Sequence, residues 1–217
     1  MNNDDSPRSR KTPFLQSLRK SRFGFDVELE AAEEEWLRLV LSNEGCSTHG
    51  KLMELPACVL EPLLEYENLI ADDKVENAAV WAADGKLRDR RKSRKVGEVA
   101  VDEAALPGVI MTHNHPAGNP PSFRDLNNLL SFTMIELRVV TRRFTYRVQS
   151  GLGNPAGHRV ENTPGAARWL NACDLVAQSM MTTMNWSASQ AEAAALHSLI
   201  AWMATQGIIL YERIPRL

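Results

Sequence analysis

The period of the apolar positions changes several times along the chain. Residues 75–82 read Val-Glu-Asn-Ala-Ala-Val-Trp-Ala, and residues 109–112 read Val-Ile-Met-Thr. Short apolar runs of this length predict buried strands. Ala83-Asp84-Gly85-Lys86 follows the first run, and Asp-Gly accepts the positive φ of a hairpin turn. Val99 and Val101 suggest a further strand, Val139-Val140 and Phe144–Val148 two more, and Ile208–Tyr211 a last one. Between these runs the spacing shifts to three and four. Leu52, Leu55, Val59, Leu60, Leu63, Leu64 and Leu69 predict a helix interrupted at Pro56 and Pro62. Ser122 reads as the N-cap of a helix reaching Leu137, with Leu126, Leu129, Leu130, Met134 and Leu137 as its apolar stripe.

The ends of the chain differ in character. Residues 1–24 have no apolar periodicity, are rich in Ser, Pro, Lys and Arg, and predict a disordered basic tail. Phe25, Val27 and Leu29 alternate like a strand. Ala31–Leu41 then reads as a helix with Trp36, Leu37, Val40 and Leu41 on one face, closed by Asn43-Glu44-Gly45. Gly151–Gly165 is a loop by composition, and 166–184 and 188–206 predict two helices, with Gly207 as a C-cap. Strands and helices intermixed in this way predict an α/β (α+β) fold, a mixed central sheet flanked by helices. The domain spans 25–150, and 151–217 forms a loop plus a helical C-terminal extension packed on it.

Composition narrows the class. With 217 residues, 44% hydrophobic and 24% charged, the chain suits one globular domain of ordinary size. A formal net charge of -2 gives the whole chain no bias toward nucleic acid or anionic membranes. No stretch approaches the ~20 apolar residues of a membrane helix. The N-terminus has no signal-peptide core, so a cytoplasmic protein is expected; a dedicated secretion route for an effector would not be visible this way. Cys46, Cys58 and Cys173 are odd in number and lack C-x-x-C spacing, which predicts reduced thiols.

The chemistry concentrates after the 109–112 run. His113 and His115 stand two apart at a strand end and so point to one side of the chain. Asp125 lies about one turn into the following helix, and a loop of Pro, Gly and Asn lets the chain fold back. Two imidazoles and one carboxylate supply three ligands and leave a fourth position open, the pattern of a catalytic rather than a structural zinc site. One Zn2+ ion is therefore expected, with a water acidified toward neutral pH.

The run His-Asn-His-Pro-Ala-Gly-Asn-Pro-Pro-Ser-Phe-Arg-Asp, His113 to Asp125, resembles the JAMM (JAB/MPN+) metalloprotease motif, H-x-H-P followed by Ser-x-x-Asp. Asn114 and Pro116-Ala117-Gly118 are more similar to the bacterial and phage branch, including RadC-type proteins, than to eukaryotic deubiquitinases. Five residues stand between Pro116 and Ser122, where many members have six. The resemblance covers about residues 50–150. It implies a JAB/MPN-like fold, a general base at Glu76 opening the 75–82 strand, and an oxyanion-stabilising role for Ser122. It also implies a peptidase or isopeptidase acting on a protein or peptide substrate, with a ubiquitin-like modifier among the candidates.

Other residues compete for these roles. Glu65 and Glu67 lie in the predicted helix and are expected to face solvent. Glu98 could replace Glu76 only in a different register. Ser122 is also a plain N-cap. His49 and His158 lack motif context, and His197, set among alanines and leucines, reads as a packed histidine. Arg88–Lys95 reads as a solvated hairpin, or else as a nucleic-acid contact without the interleaved aromatics that single strands need. The Met and Trp residues between Trp169 and Met203 read as core, or as a docking face for substrate or for a second copy in a homodimer. A RadC-like DNA-associated protein and a phage or mobile-element structural protein with a non-proteolytic JAB domain are the alternatives to an enzyme.

Overall fold

The computed structural model describes residues 46–47, 51–93, 99–151, 157–167, 169, 171, 178, 181–182 and 185–216. The expected basic tail, the strand and helix of 25–42, His49, Glu98 and most of the 166–184 helix lie outside these residues.

The apolar runs form a seven-stranded mixed sheet. Its strands are β1 (Cys46–Ser47), β2 (Asn77–Ala82), β3 (Leu87–Lys92), β4 (Val109–Asn114), β5 (Glu136–Val140), β6 (Phe144–Ser150) and β7 (Ile209–Pro215), in the order β1-β7-β6-β5-β4-β2-β3. Among the described residues three complete α-helices accompany them: α1 (Ala57–Ile70), α2 (Phe123–Ser131) and α3 (Ala188–Thr205). The α/β class expected from the sequence is the class observed. Among the described strands only β4 and β5 run parallel, and α2 is their crossover. The segment after residue 150 belongs to the sheet, because β7 pairs along β6 from Ser150↔Ile209 to Phe144↔Pro215.

Both faces of the sheet are covered, which explains why β2, β4 and β5 are buried at every position. Alternate residues serve different cores. Ala78, Val80, Val109, Met111, Leu137 and Val139 pack with α2 and α3. Ala79, Trp81 and Ile110 pack against Val59, Leu63, Tyr66 and Ile70 of α1 on the other face. This alternation sends His113 to the α2 side and Thr112 to the α1 side.

Several expectations are corrected. Pro56 caps α1 instead of interrupting it, and Pro62 sits inside a continuous helix. Pro62 deprives Cys58 O of its helical N–H. The turn glycine covers that carbonyl: a Cβ built on Gly85, whose φ is +86°, would lie 2.6 Å from Cys58 O. Val99 and Val101 form no strand; they pack half-buried against the larger core. The return strand of the hairpin is the exposed β3. The helix after Ser122 ends at Ser131, where Thr133 adopts a φ of 50°, and Leu137 belongs to β5. Leu137 stays in the core through the sheet and Met134 through the turn before it, not through helical spacing.

Glu67 is the largest correction. Far from facing solvent, it is fully buried. Arg138 Nε and Nη2 donate to its two oxygens at 2.6 and 3.0 Å, and Thr112 Oγ1 donates at 2.9 Å. Arg138 Nη1 also reaches Glu136 at 2.8 Å, and Glu136 in turn accepts from Arg147 and Gln149. A band of paired charges thus fills the α1 face of β4, β5 and β6.

Candidate metal centre

The site lies where β4 ends and α2 begins, at the carboxyl end of a strand in the one parallel unit of the sheet. Strand geometry turns His113 toward α2. His115 N then donates to Val140 O at 2.9 Å, so the chain keeps its register on β5 past the last strand residue. The ring nitrogens His113 Nε2 and His115 Nε2 face each other at 3.0 Å. Asp125 closes the triangle, with Oδ1 3.4 Å from His113 Nε2 and Oδ2 3.5 Å from His115 Nε2. Ligand atoms of all three residues lie within 4.8 Å of one another.

The surrounding bonds orient these groups. His115 Nδ1 faces the carbonyls of Asn119 and Pro120 at 3.0 and 3.1 Å. Carbonyls only accept, so Nδ1 carries the proton and Nε2 presents its lone pair, the arrangement in which an imidazole can bind a metal through one nitrogen while a hydrogen bond from the other holds the ring. Asp125 is held by a capping box. Ser122 N and Ser122 Oγ donate to Asp125 Oδ2, each at 2.7 Å, and Asp125 N donates back to Ser122 Oγ at 3.2 Å. Ser122 is therefore the N-cap that the sequence suggested, and its hydroxyl proton is directed at Asp125, the third candidate ligand.

Charge is concentrated here. Burial works against a charged His115, yet the hydrogen bond and attraction from Asp125 raise its pKa above the ordinary value, with Glu76 adding to the pull. Burial would raise the Asp125 carboxyl, but the charges and hydrogen bonds of His113 and His115 hold it well below the usual carboxylate range. The Asp125 carboxylate thus stays ionised beside the two imidazoles, the charge a cation at this point would meet.

The donor set fits zinc. Tetrahedral ligands ~2.0–2.1 Å from the ion stand about 3.3 Å apart. The two imidazole nitrogens, 3.0 Å apart, lie close to that value, while the carboxylate meets them through different oxygens, Oδ1 at 3.4 Å from His113 and Oδ2 at 3.5 Å from His115, so that one ligand atom from each residue falls within 4.8 Å of the others.

Glu76 and Ser122 line the same cavity as the three ligands, a space of about 280 Å³ also bounded by Glu103, Glu192 and Leu196. Glu76 is buried and immediately precedes β2, as expected for a residue opening that strand. The register Ala78↔His113 carries it to the ligands. Asn114, the residue between the histidines, fixes it there. Its Oδ1 accepts from Asn77 N at 2.7 Å, and its Nδ2 donates to the carbonyls of Asp73 and Val75 at 3.2 and 3.1 Å. The backbone on both sides of Glu76 is thus tied to the strand that bears the histidines. Sequence reasoning missed this role of Asn114; its signal was a polar residue at a position due to face the opposite side from two ligands.

His197 is a packed histidine, as expected: it is buried, away from the metal ligands, against Tyr211 and Arg213. His158 bonds Thr163 and takes no part in the site. The described part of the basic run lies on β3, largely balanced by its own acids. Lys86 pairs with Asp84, Arg91 with Asp89 and Lys92 with Asp73, and Arg90 stacks over Tyr66. Cys58 is a free thiol. Among the described residues, no helix is long and apolar enough to cross a membrane.

Comparison with protein-family models, with curated proteins and with solved structures finds no match to this chain.

Proposed function

We propose that the protein is a zinc-dependent hydrolase of amide bonds, a metallopeptidase or isopeptidase of the JAMM type. The observation that carries this reading is the convergence of His113, His115 and Asp125, with Glu76 and Ser122 lining the same cavity. A zinc ion held by the three ligands would polarise the amide carbonyl and acidify a water molecule. Glu76 is the group available to take the water's proton and pass it to the departing amine. Asn114 holds Glu76 in position through the backbone of residues 73–77. Ser122 orients Asp125 in the structure described. Its hydroxyl can turn to a developing oxyanion once a cation shares the Asp125 carboxylate.

The substrate class is the one the JAMM resemblance implies: an amide or isopeptide in a protein or peptide, a ubiquitin-like conjugate included. The DNA-associated alternative draws less support, because on β3 Arg91 and Lys92 already pair with carboxylates and Arg90 stacks over Tyr66.

Two measurements test the reading. Elemental analysis of the purified chain should find about one zinc per molecule, lost in His115→Ala and Asp125→Ala. Glu76→Gln should retain zinc while hydrolysis of an isopeptide library falls at least ~100-fold. A chain that takes up no zinc, or a Glu76→Gln variant as active as the parent, refutes the proposal.

A further inference from the structure

A second cavity, about 410 Å³, lies beside the metal centre. The two share Ala117, Asn119 and Pro120 of the loop that holds His115. They also share α3: Glu192 and Leu196 line the metal cavity, and Ala193 and His197, one residue on, line its neighbour.

The chemistry of this second space differs from that of the first. Its walls are aromatic, from Phe144, Tyr146 and Trp186. Its charged lining side chains among the described residues are Arg143 and Arg213, with no carboxylate. Arg213 is 3% exposed. Its Nη1 lies 3.2 Å from His197 Nδ1, and its guanidinium 4.5 Å from the Phe144 ring centroid. Arg143 stands over the same ring at 5.6 Å. An arginine donates only, so His197 Nδ1 accepts, and Nε2–H faces Tyr211 Oη at 2.7 Å. Histidine is thereby held as a neutral orienting group and the arginine keeps its charge. Ser189 and Gln190, in the first turn of the 18-residue α3, complete the lining and bring the positive end of a helix dipole. Two guanidinium groups, a helix N-terminus and aromatic walls share one chemical complement, a carboxylate on an apolar body.

We propose that this cavity is a substrate subsite that anchors a carboxylate carried on an aromatic or aliphatic group. Resting on the hydrolytic reading of the metal centre, it makes the preferred substrate an amide with a free carboxylate close to the scissile bond, such as a peptide near its C-terminus. Arg143 binds the carboxylate in the positive field of the buried Arg213, Phe144 and Trp186 hold the body, and the amide extends past the Ala117–Pro120 loop toward His115.

The test uses 3-phenylpropionate and its uncharged counterpart 3-phenylpropanol, neither of which has an amide to cleave. Binding to the full chain is followed by calorimetry, with zinc and after chelation. The acid should bind about tenfold more tightly than the alcohol, and Arg143→Met should remove most of that preference. Ala193→Phe, which fills the cavity without changing charge, should abolish binding, with its fold checked by circular dichroism. His113→Ala, which touches none of the residues lining the second cavity, should leave binding to the chelated protein intact. Equal binding of acid and alcohol overturns the proposal. So does binding that survives Ala193→Phe in a folded protein, binding lost in a folded His113→Ala, or no binding up to about 20 mM. A chain that binds the acid in this way but takes up no zinc keeps the subsite and loses the hydrolase.

Discussion

Replacing Arg138 with methionine strikes the charge band behind the metal centre, and its cost can be worked from the bonds removed. Arg138 is 2% exposed and supplies both charge-assisted bonds to Glu67. Glu136 also loses one bond but keeps Arg147 and Gln149. Glu67 retains only the Thr112 hydroxyl among its hydrogen bonds. Breaking a buried pair from one side costs about 3–5 kcal/mol. The penalty has a ceiling, because the stranded carboxylate can take up a proton. For an ordinary glutamate that costs about 4 kcal/mol at pH 7, and about 1 kcal/mol at pH 5. The folded variant then binds a proton that the unfolded chain releases, so its deficit grows as pH rises and shrinks as pH falls. Urea denaturation at pH 7 should show a loss of about 3–4 kcal/mol, a melting point lower by roughly 6–16 °C for a chain of this size, and a loss of no more than about half that at pH 5. Adding Glu67→Met to Arg138→Met should recover most of the loss, since an apolar pair of similar volume replaces a buried ion pair at little cost. A single variant within about 1 kcal/mol of the parent at pH 7, or a deficit that does not change with pH, refutes the argument that these charges depend on one another.

Three further outcomes follow from other parts of the fold. Gly85→Ala places a methyl 2.6 Å from Cys58 O at a φ of +86°, so denaturant melts should show a loss of at least about 2 kcal/mol. His197 is pushed down to about 3 by burial and by the charge of Arg213. The unfolded chain therefore binds a proton below about pH 6.5 that the folded chain refuses, and stability falls as pH drops toward 3. The contribution is about 2 kcal/mol between pH 6.5 and 5, and His197→Gln should flatten that part of the pH–stability curve. Asn114→Ala frees the backbone around Glu76 while leaving all three metal ligands in place. Zinc content should be unchanged while hydrolysis falls by about tenfold or more; parallel loss of zinc would mean that Asn114 supports the histidines instead.

Much of the candidate site is legible in the chain because it is local. His113 and His115 face one side through the period of a strand, and the cap at Ser122 fixes where Asp125 sits in its helix. Glu76 was placed from its position at the start of an apolar run and from a family resemblance, not from any local period. The readings that failed are those decided by distant partners. The apolar stripe toward Leu137 continued at helical spacing, but Thr133 turned the chain and β5 took Leu137 into the sheet. Val99 and Val101 looked like strand residues, yet the return strand is the charged β3, whose pairing with β2 follows from the Asp-Gly turn and not from hydrophobicity.

By itself the sequence determined the alternation of buried runs and helices, the turn at Asp84-Gly85, and a donor triad whose members are close along the chain. Short-range geometry suffices for these, since strand and helix periods set side-chain directions over a few residues. Tertiary structure decided the rest. The register Ala78↔His113 brings Glu76 to the ligands, and no local rule sets the pairing of strands so far apart in the chain. The burial of Glu67 was decided by Arg138, 71 residues away, because a fully buried carboxylate costs far less where a cation meets it. The aromatic and cationic cavity beside the metal centre exists only because β6, α3 and β7, dispersed along the chain, close around it.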